Sequence, residues 1–192
     1  MRTLAHKQNR SGMSLVEIMV ASGIGSIVLT AVMVMWGFGS RSFVAMGNYR
    51  DLDAKSQYAL DMMSREIRQA TRVIDIQNTG TTKWLTLTNV DAGVRLKYSW
   101  DATERTLTYE RSGQEPMVLL RECDAWQFAM YQRTPQKNQT NTFFPAKNVN
   151  GNPDMAICKL VDMSWKCSRK ILGQKVNTES VQTAQIVLRN KQ

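Results

Sequence analysis

Glu17 is the one acid inside an apolar run that starts abruptly at Met13 and continues to about Phe38. A carboxylate in a bilayer costs at least about 2.5–3.5 kcal/mol on insertion scales, so it requires a partner or a purpose. Just before the run stands Gly12, where a basic, polar leader ends. The chemistry open to this stretch is therefore ion pairing by a desolvated Glu17. Little else points to catalysis. Most zinc sites, and Ser-His-Asp or Cys-His catalysis, need a folded histidine. The single histidine, His6, lies in the extreme N-terminal tail. No H-E-x-x-H, Gly-rich phosphate loop, G-x-S-x-G or C-x-x-C occurs. The expectation is a protein that is not an enzyme, with no catalytic residues, no metal and no cofactor.

The elements around that stretch set its context. Residues 18–40 carry no charged side chain, and a helix of that length spans roughly 34 Å against a bilayer core of about 30 Å. Residues 1–12 hold Arg2, Lys7 and Arg10 and no acid, and these charges would keep the N-terminus cytosolic, with the remainder outside. A secretory signal peptide has a shorter apolar stretch and a small-x-small cut, whereas here Glu17 interrupts and Ala21-Ser22-Gly23 falls mid-span. The full 192 residues are 43% hydrophobic and 21% charged, which excludes wholesale disorder. The net charge of +9, from 25 Lys+Arg against 16 Asp+Glu, permits nucleic acid or anionic lipid as partners. The basic residues are scattered singly, so nucleic acid is not the expected partner.

All four prolines lie beyond residue 115, so nothing from Met13 to Thr71 forbids one long helix. Gly23, Gly25, Gly37, Gly39 and Gly47 weaken it; Ala21, Ser22, Gly25 and Ser26 form a small-residue surface that permits close helix approach, and bending is an equally good reading of the glycines. From Arg50 the pattern is amphipathic: Leu52, Ala59, Leu60, Met63, Ile67 and Ala70 recur at helical spacings, and the stretch ends near Arg72. After Asn78-Thr79-Gly80 the period changes to two. Leu85 and Leu87, Val94 to Trp100, Leu107 and Tyr109, Trp126 to Met130, Val161 to Trp165, and Ala184 to Arg189 read as half-buried antiparallel strands. Residues 133–153, rich in Asn, Gln, Thr and Pro, read as a long polar loop, with Phe143 and Phe144 out of place in it. The fold class is α+β: a long N-terminal hydrophobic helix whose amphipathic C-terminal half packs on an antiparallel β-sheet head.

Cys123, Cys158 and Cys167 would lie outside the cytosol, where disulfides persist. Three is odd, so at most one internal pair forms. On one continuous strand Cys158 and Cys167 stand about 30 Å apart on opposite faces, and a bond needs Cα atoms within roughly 7 Å. Cys123 with either of the others is preferred, Cys123–Cys167 being the pair carried forward; a turn between Cys158 and Cys167 would reverse that choice.

The order basic leader, Gly12-Met13, Glu17 at the fifth residue and apolar helix resembles the processing site of type IV prepilins and type II secretion pseudopilins. The resemblance covers Gly12 through about Phe38. It implies a membrane peptidase that cuts between Gly12 and Met13, N-methylation of Met13, and a Glu17 that neutralises the Met13 ammonium of a neighbouring subunit. The first residue after the cut is most often Phe in that family, and here it is Met13. The implied organisation is a leader at 1–12, a membrane and fibre-core helix at 13–39, an amphipathic helix at 40–72 and a β-rich periplasmic head at 73–192. The implied partners are prepilin peptidase, other pilin or pseudopilin subunits and an inner-membrane assembly platform. More loosely, Leu60 to Ala70, the Tyr98 to Leu107 hairpin and Ile186 to Asn190 are similar to J-type pseudopilins and W-type minor pilins, which implies a place in a priming or tip complex. The rival expectation is a membrane-anchored extracytoplasmic binding module using a basic head, for DNA or a surface ligand.

Overall fold

In the computed structural model residues 12–89, 93–133, 143–171 and 177–188 are described. Leader residues 1–11, residues 134–142 of the expected loop, and Arg189 and Asn190 lie outside them. The chain falls into two compact units, Met1–Val44 and Ala45–Gln192.

The described part of the first unit is helix. Helix α1 runs Leu15–Gln69, without proline and with its glycines inside it. From Leu15 to Val44 its apolar side chains have no protein cover: Leu15 is 74% exposed, Trp36 75% and Phe38 77%. This is the one helix among the described residues long and apolar enough to cross a membrane.

The second unit packs the rest of α1 against two antiparallel sheets. Leu52, Ser56, Ala59, Met63 and Ile67 form its buried stripe. The first sheet is a meander in chain order, β1 (Arg72–Gln77), β2 (Thr82–Asn89), β3 (Val94–Asp101), β4 (Thr106–Arg111) and β5 (Met117–Leu120). The second has the order β7-β6-β8-β9, from β6 (Cys123–Arg133), β7 (Phe143–Pro145), β8 (Leu160–Lys170) and β9 (Asn177–Val187). The α+β class expected from the sequence is the observed one, with the head divided between two sheets. The period-two aromatics are core: Tyr98, Trp100, Tyr109, Trp126, Phe128 and Trp165 are buried in one cluster with the helix stripe. The sheets are joined by Trp100 Nε1 donating to the Cys123 carbonyl at 3.0 Å and by Lys83 Nζ donating to the Trp126 carbonyl at 2.9 Å.

Several expectations are corrected. Helix α1 ends at Gln69, and β1 follows at once. Residues 133–153 are not all loop: β6 runs to Arg133, Phe143–Pro145 pair with β6 as edge strand β7, and Lys147 bridges to Pro153. Phe143 and Phe144 lie on that strand, partly exposed. Glu66 of α1 takes a bond from Arg111 of β4 at 3.3 Å, across to the first sheet. The last strand begins at Asn177, seven residues before Ala184.

Charged side chains tie the helix to the sheets. Arg169 of β8 donates from Nη1 to Asp51 at 2.9 Å and from Nη2 to Glu122 at 2.7 Å. Hydrogen bonds from Lys55 and then Arg169 hold the Asp51 carboxyl below its ordinary value. Gln182 of β9 reaches Asp53 at 3.1 Å.

The stripe predicts where the second unit is vulnerable. A chain truncated to residues 45–192 should be soluble and melt cooperatively, with mixed helix and strand by circular dichroism. Ile67→Ala in it should lose about 2–5 kcal/mol of unfolding free energy in urea titration. A truncated chain that aggregates would contradict the packing described for α1.

Candidate functional site: the N-terminus of α1

Helix α1 begins with a hydrogen-bonded cap. The Ser14 carbonyl accepts the first intrahelical bond, from the Ile18 N–H at 3.2 Å. Ser14 Oγ accepts from the Glu17 N–H at 3.2 Å, and Glu17 Oε2 accepts from the Ser14 N–H at 2.9 Å. This reciprocal pair is a capping box, with Ser14 at the cap and Glu17 three residues on. It satisfies two otherwise unpaired N–H groups and sets a carboxylate against the positive end of the helix dipole.

Charge and its place as the fifth residue after Gly12 single out Glu17 in the sequence, whereas Ser14 goes unmarked there. The S-x-x-E spacing in Ser14-Leu15-Val16-Glu17 was the available signal. Glu17 thus has a local partner within its own chain, through Oε2.

Gly12 and Met13 precede the cap in non-helical conformation and are exposed. A Cβ built on Gly12 meets nothing within 4 Å, and its φ is not in the left-handed region. The chain's own fold therefore does not require glycine there. A demand for glycine at position 12 has to come from another molecule.

Beyond the cap, hydroxyls that would be costly in hydrocarbon are satisfied by the helix itself. Ser22 Oγ donates to the Met19 carbonyl at 2.9 Å, Ser26 to Gly23 at 2.8 Å, Thr30 to Ser26 at 2.8 Å and Ser40 to Gly37 at 3.1 Å. Such back-bonding lets small polar residues sit on an apolar helix.

The other predicted site residues lie in the head. Cys123 and Cys167 face each other across β6 and β8, and Cys158 precedes β8. The structure brings together Gly12, Met13 and Glu17 at one end of α1 and Cys123 and Cys167 in the head core.

Residues 7–33 match the family model of the prokaryotic N-terminal methylation motif. The motif supports a type IV pilin-like chain that is a substrate of prepilin peptidase and assembles with other pilins. With the uncovered apolar helix behind it, the motif fits a membrane-anchored pilin. No curated protein and no solved structure gives a significant match to the chain.

The cap separates two properties of Glu17. Ser14→Ala should remove one half of the box at a cost of about 1 kcal/mol of helix stability. Glu17→Gln should keep the box, since Gln serves at that position as Glu does. Amide exchange of residues 15–18 in detergent micelles checks this: faster exchange in Ser14→Ala and little change in Glu17→Gln.

Proposed function

We propose that the chain is a structural subunit, a minor pilin or pseudopilin of a type IV pilus or type II secretion pseudopilus. The observation that carries the reading is Gly12-Met13 placed before a capped, uncovered apolar helix in which Glu17 is the only charge through residue 40. Prepilin peptidase cuts between Gly12 and Met13 on the cytosolic side, and the new Met13 amine is methylated. The helix stays in the inner membrane, with the head periplasmic, until the assembly platform draws it into a helical bundle. There Glu17 pairs with the Met13 ammonium of a neighbouring subunit. Pairing offsets the desolvation of both charges. The looser likeness of Leu60 to Ala70 and of the closing strand to J-type and W-type subunits favours a place in the priming or tip complex.

A basic cleft favours a second reading, a head that binds an anionic ligand. Arg72, Arg95 and Lys97 line an open cleft beside β1, β2 and β3, with Glu110 as the acid among them. Binding of DNA there would fall steeply with salt, and a flat salt response would exclude it.

Gly12→Ala should block maturation. Intact mass of the membrane-extracted chain reads the outcome: wild type starts at Met13 and carries one added methyl group, and the variant retains residues 1–12. Wild type starting at Met1, in cells that have the peptidase, would overturn the reading.

Glu17→Gln should be cleaved normally and enter the membrane at least as well as wild type, because a charge is removed. It should fail to join the fibre, since breaking one side of a buried ion pair costs about 3–5 kcal/mol. Co-purification of the cleaved variant with its fibre partners, at equal membrane abundance, decides it. Equal recovery would reduce Glu17 to a helix cap, a partial defect would favour a tip position, and a complete one the shaft.

A further inference from the structure

Cys123 and Cys167 are register partners where β6 leaves regular pairing at Asp124. The backbone shows which kind of pair they are. The Ser168 N–H donates to the Glu122 carbonyl at 3.0 Å, and the Cys123 N–H is taken by the Arg105 carbonyl at 2.8 Å. The two cysteines therefore exchange no backbone hydrogen bonds with each other. In antiparallel sheets such pairs hold their Cα atoms about 4.5 Å apart, with side chains at closest approach. That lies within the roughly 4.4–6.8 Å a disulfide spans.

Both residues are buried, 0% and 1% exposed, as two free thiols. The Cys123 thiol donates to the Ala125 carbonyl at 3.4 Å, and the nearness of the two sulfurs pushes the Cys123 thiol up and lowers Cys167. Ser56 of α1 lies beside Cys167. Cys158 is elsewhere. Its neighbour Lys159 donates to the Tyr131 carbonyl at 2.8 Å, at the opposite end of the β6–β8 ladder. The strand residues 160–166 alone separate Cys158 from Cys167 by about 23 Å.

We infer that Cys123 and Cys167 form a disulfide that ties β6 to β8 under the Ser56 face of α1, with Cys158 outside the bond. The inference rests on the reading that the head lies outside the cytosol. The oxidant is a protein disulfide donor of the extracytoplasmic space. One cysteine thiolate attacks a donor sulfur, giving a mixed disulfide. The other cysteine then displaces the donor, which leaves as a dithiol carrying both electrons and both protons. Neither thiol is exposed in the folded head, so the exchange occurs before β6 and β8 close beneath α1. The bond links positions far apart in sequence, which restricts the unfolded chain more than a short loop would.

The test uses the full chain extracted from membranes, denatured and alkylated with and without reductant. One alkyl group per chain is expected before reduction, on Cys158, and three after it. Trypsin without reductant should release Glu122–Arg133 joined to Cys167–Arg169. Cys158→Ser should keep that crosslink, and Cys167→Ser should leave Cys123 open to alkylation. Reductant should lower the thermal midpoint of the Cys158→Ser chain by several degrees. Three alkyl groups before reduction, on a chain whose mass starts at Met13, would overturn the disulfide and leave the assembly reading standing. A crosslink between Glu122–Arg133 and the Cys158 peptide would overturn it as well. A chain still starting at Met1 would count against the assembly reading instead. In that case, refolding the reduced chain with oxidised glutathione decides the disulfide: the same crosslink supports it, and its absence overturns it.

Discussion

A peptide group in hydrocarbon has no water to bond to, so a chain that enters a membrane must satisfy its own backbone. From Leu15 to Val44, α1 meets that demand as an unbroken helix, and four of its polar side chains follow the same rule. Ser22, Ser26, Thr30 and Ser40 each turn their hydroxyl back onto a carbonyl three or four residues earlier. The glycines show the other side of the constraint. At Gly23, Gly25, Gly37 and Gly39 an added Cβ would meet nothing within 4 Å. Their smallness serves no packing inside this chain. It leaves flat helix surface that another helix can approach closely.

The second unit obeys a different rule, burial against sheets, and its polar groups concentrate where strands change direction. Arg105 and Glu122 both adopt positive φ, 54° and 60°, in the turns before β4 and β6. Neither is glycine, and each is held by several bonds. Arg105 donates to Asp124 and to the Ser168 carbonyl, both at 2.8 Å, and Glu122 accepts from Arg169 through both carboxylate oxygens. Arg169 also takes Asp51 on α1. A planar guanidinium suits such a junction because its fixed fork serves two carboxylates at once. These contacts position the strand ends that bring Cys123 opposite Cys167.

What could be read from the sequence follows from how each element is buried. The stripe Leu52, Ala59, Met63 and Ile67 and the alternations in β2, β3, β4, β6 and β8 are amphipathic, and their periods are visible. β1 was hidden because its pairing shifts register between Val73 and Asp75, which breaks the alternation. β5 is four residues after a proline, too short to show a period. β9 does alternate, but its first buried positions are Thr178 and Ser180, so its inward face carries hydroxyls and escapes a search for apolar residues. β7 pairs only at an edge, with all three residues exposed. At the candidate site, charge and spacing marked Glu17, while Ser14 was overlooked because a cap is a local hydrogen-bond pattern and not a hydrophobic one. The opposition of Cys123 and Cys167 depends on the β6–β8 register, which spacing alone does not determine.

The capping box bears on how a lone carboxylate tolerates its position before any partner arrives. A bare carboxylate at the start of an apolar helix would lack donors, whereas Glu17 has the Ser14 N–H at 2.9 Å and the positive end of the helix. The proposed pairing with a Met13 ammonium does not require this bond to break. An ionised carboxylate offers about four acceptor sites on two oxygens, and the box uses one site, on Oε2. Oε1 remains to accept an ammonium from outside the chain. The box also fixes the rotamer of Glu17, so less side-chain freedom is lost when the pair forms. One residue can then serve two steps, holding the first turn in the single chain and presenting a preset acceptor to the next subunit. Aspartate would be too short to reach back to the Ser14 N–H in this way. Glutamine would reach but bring no charge, which is why the two functions can be separated at this position.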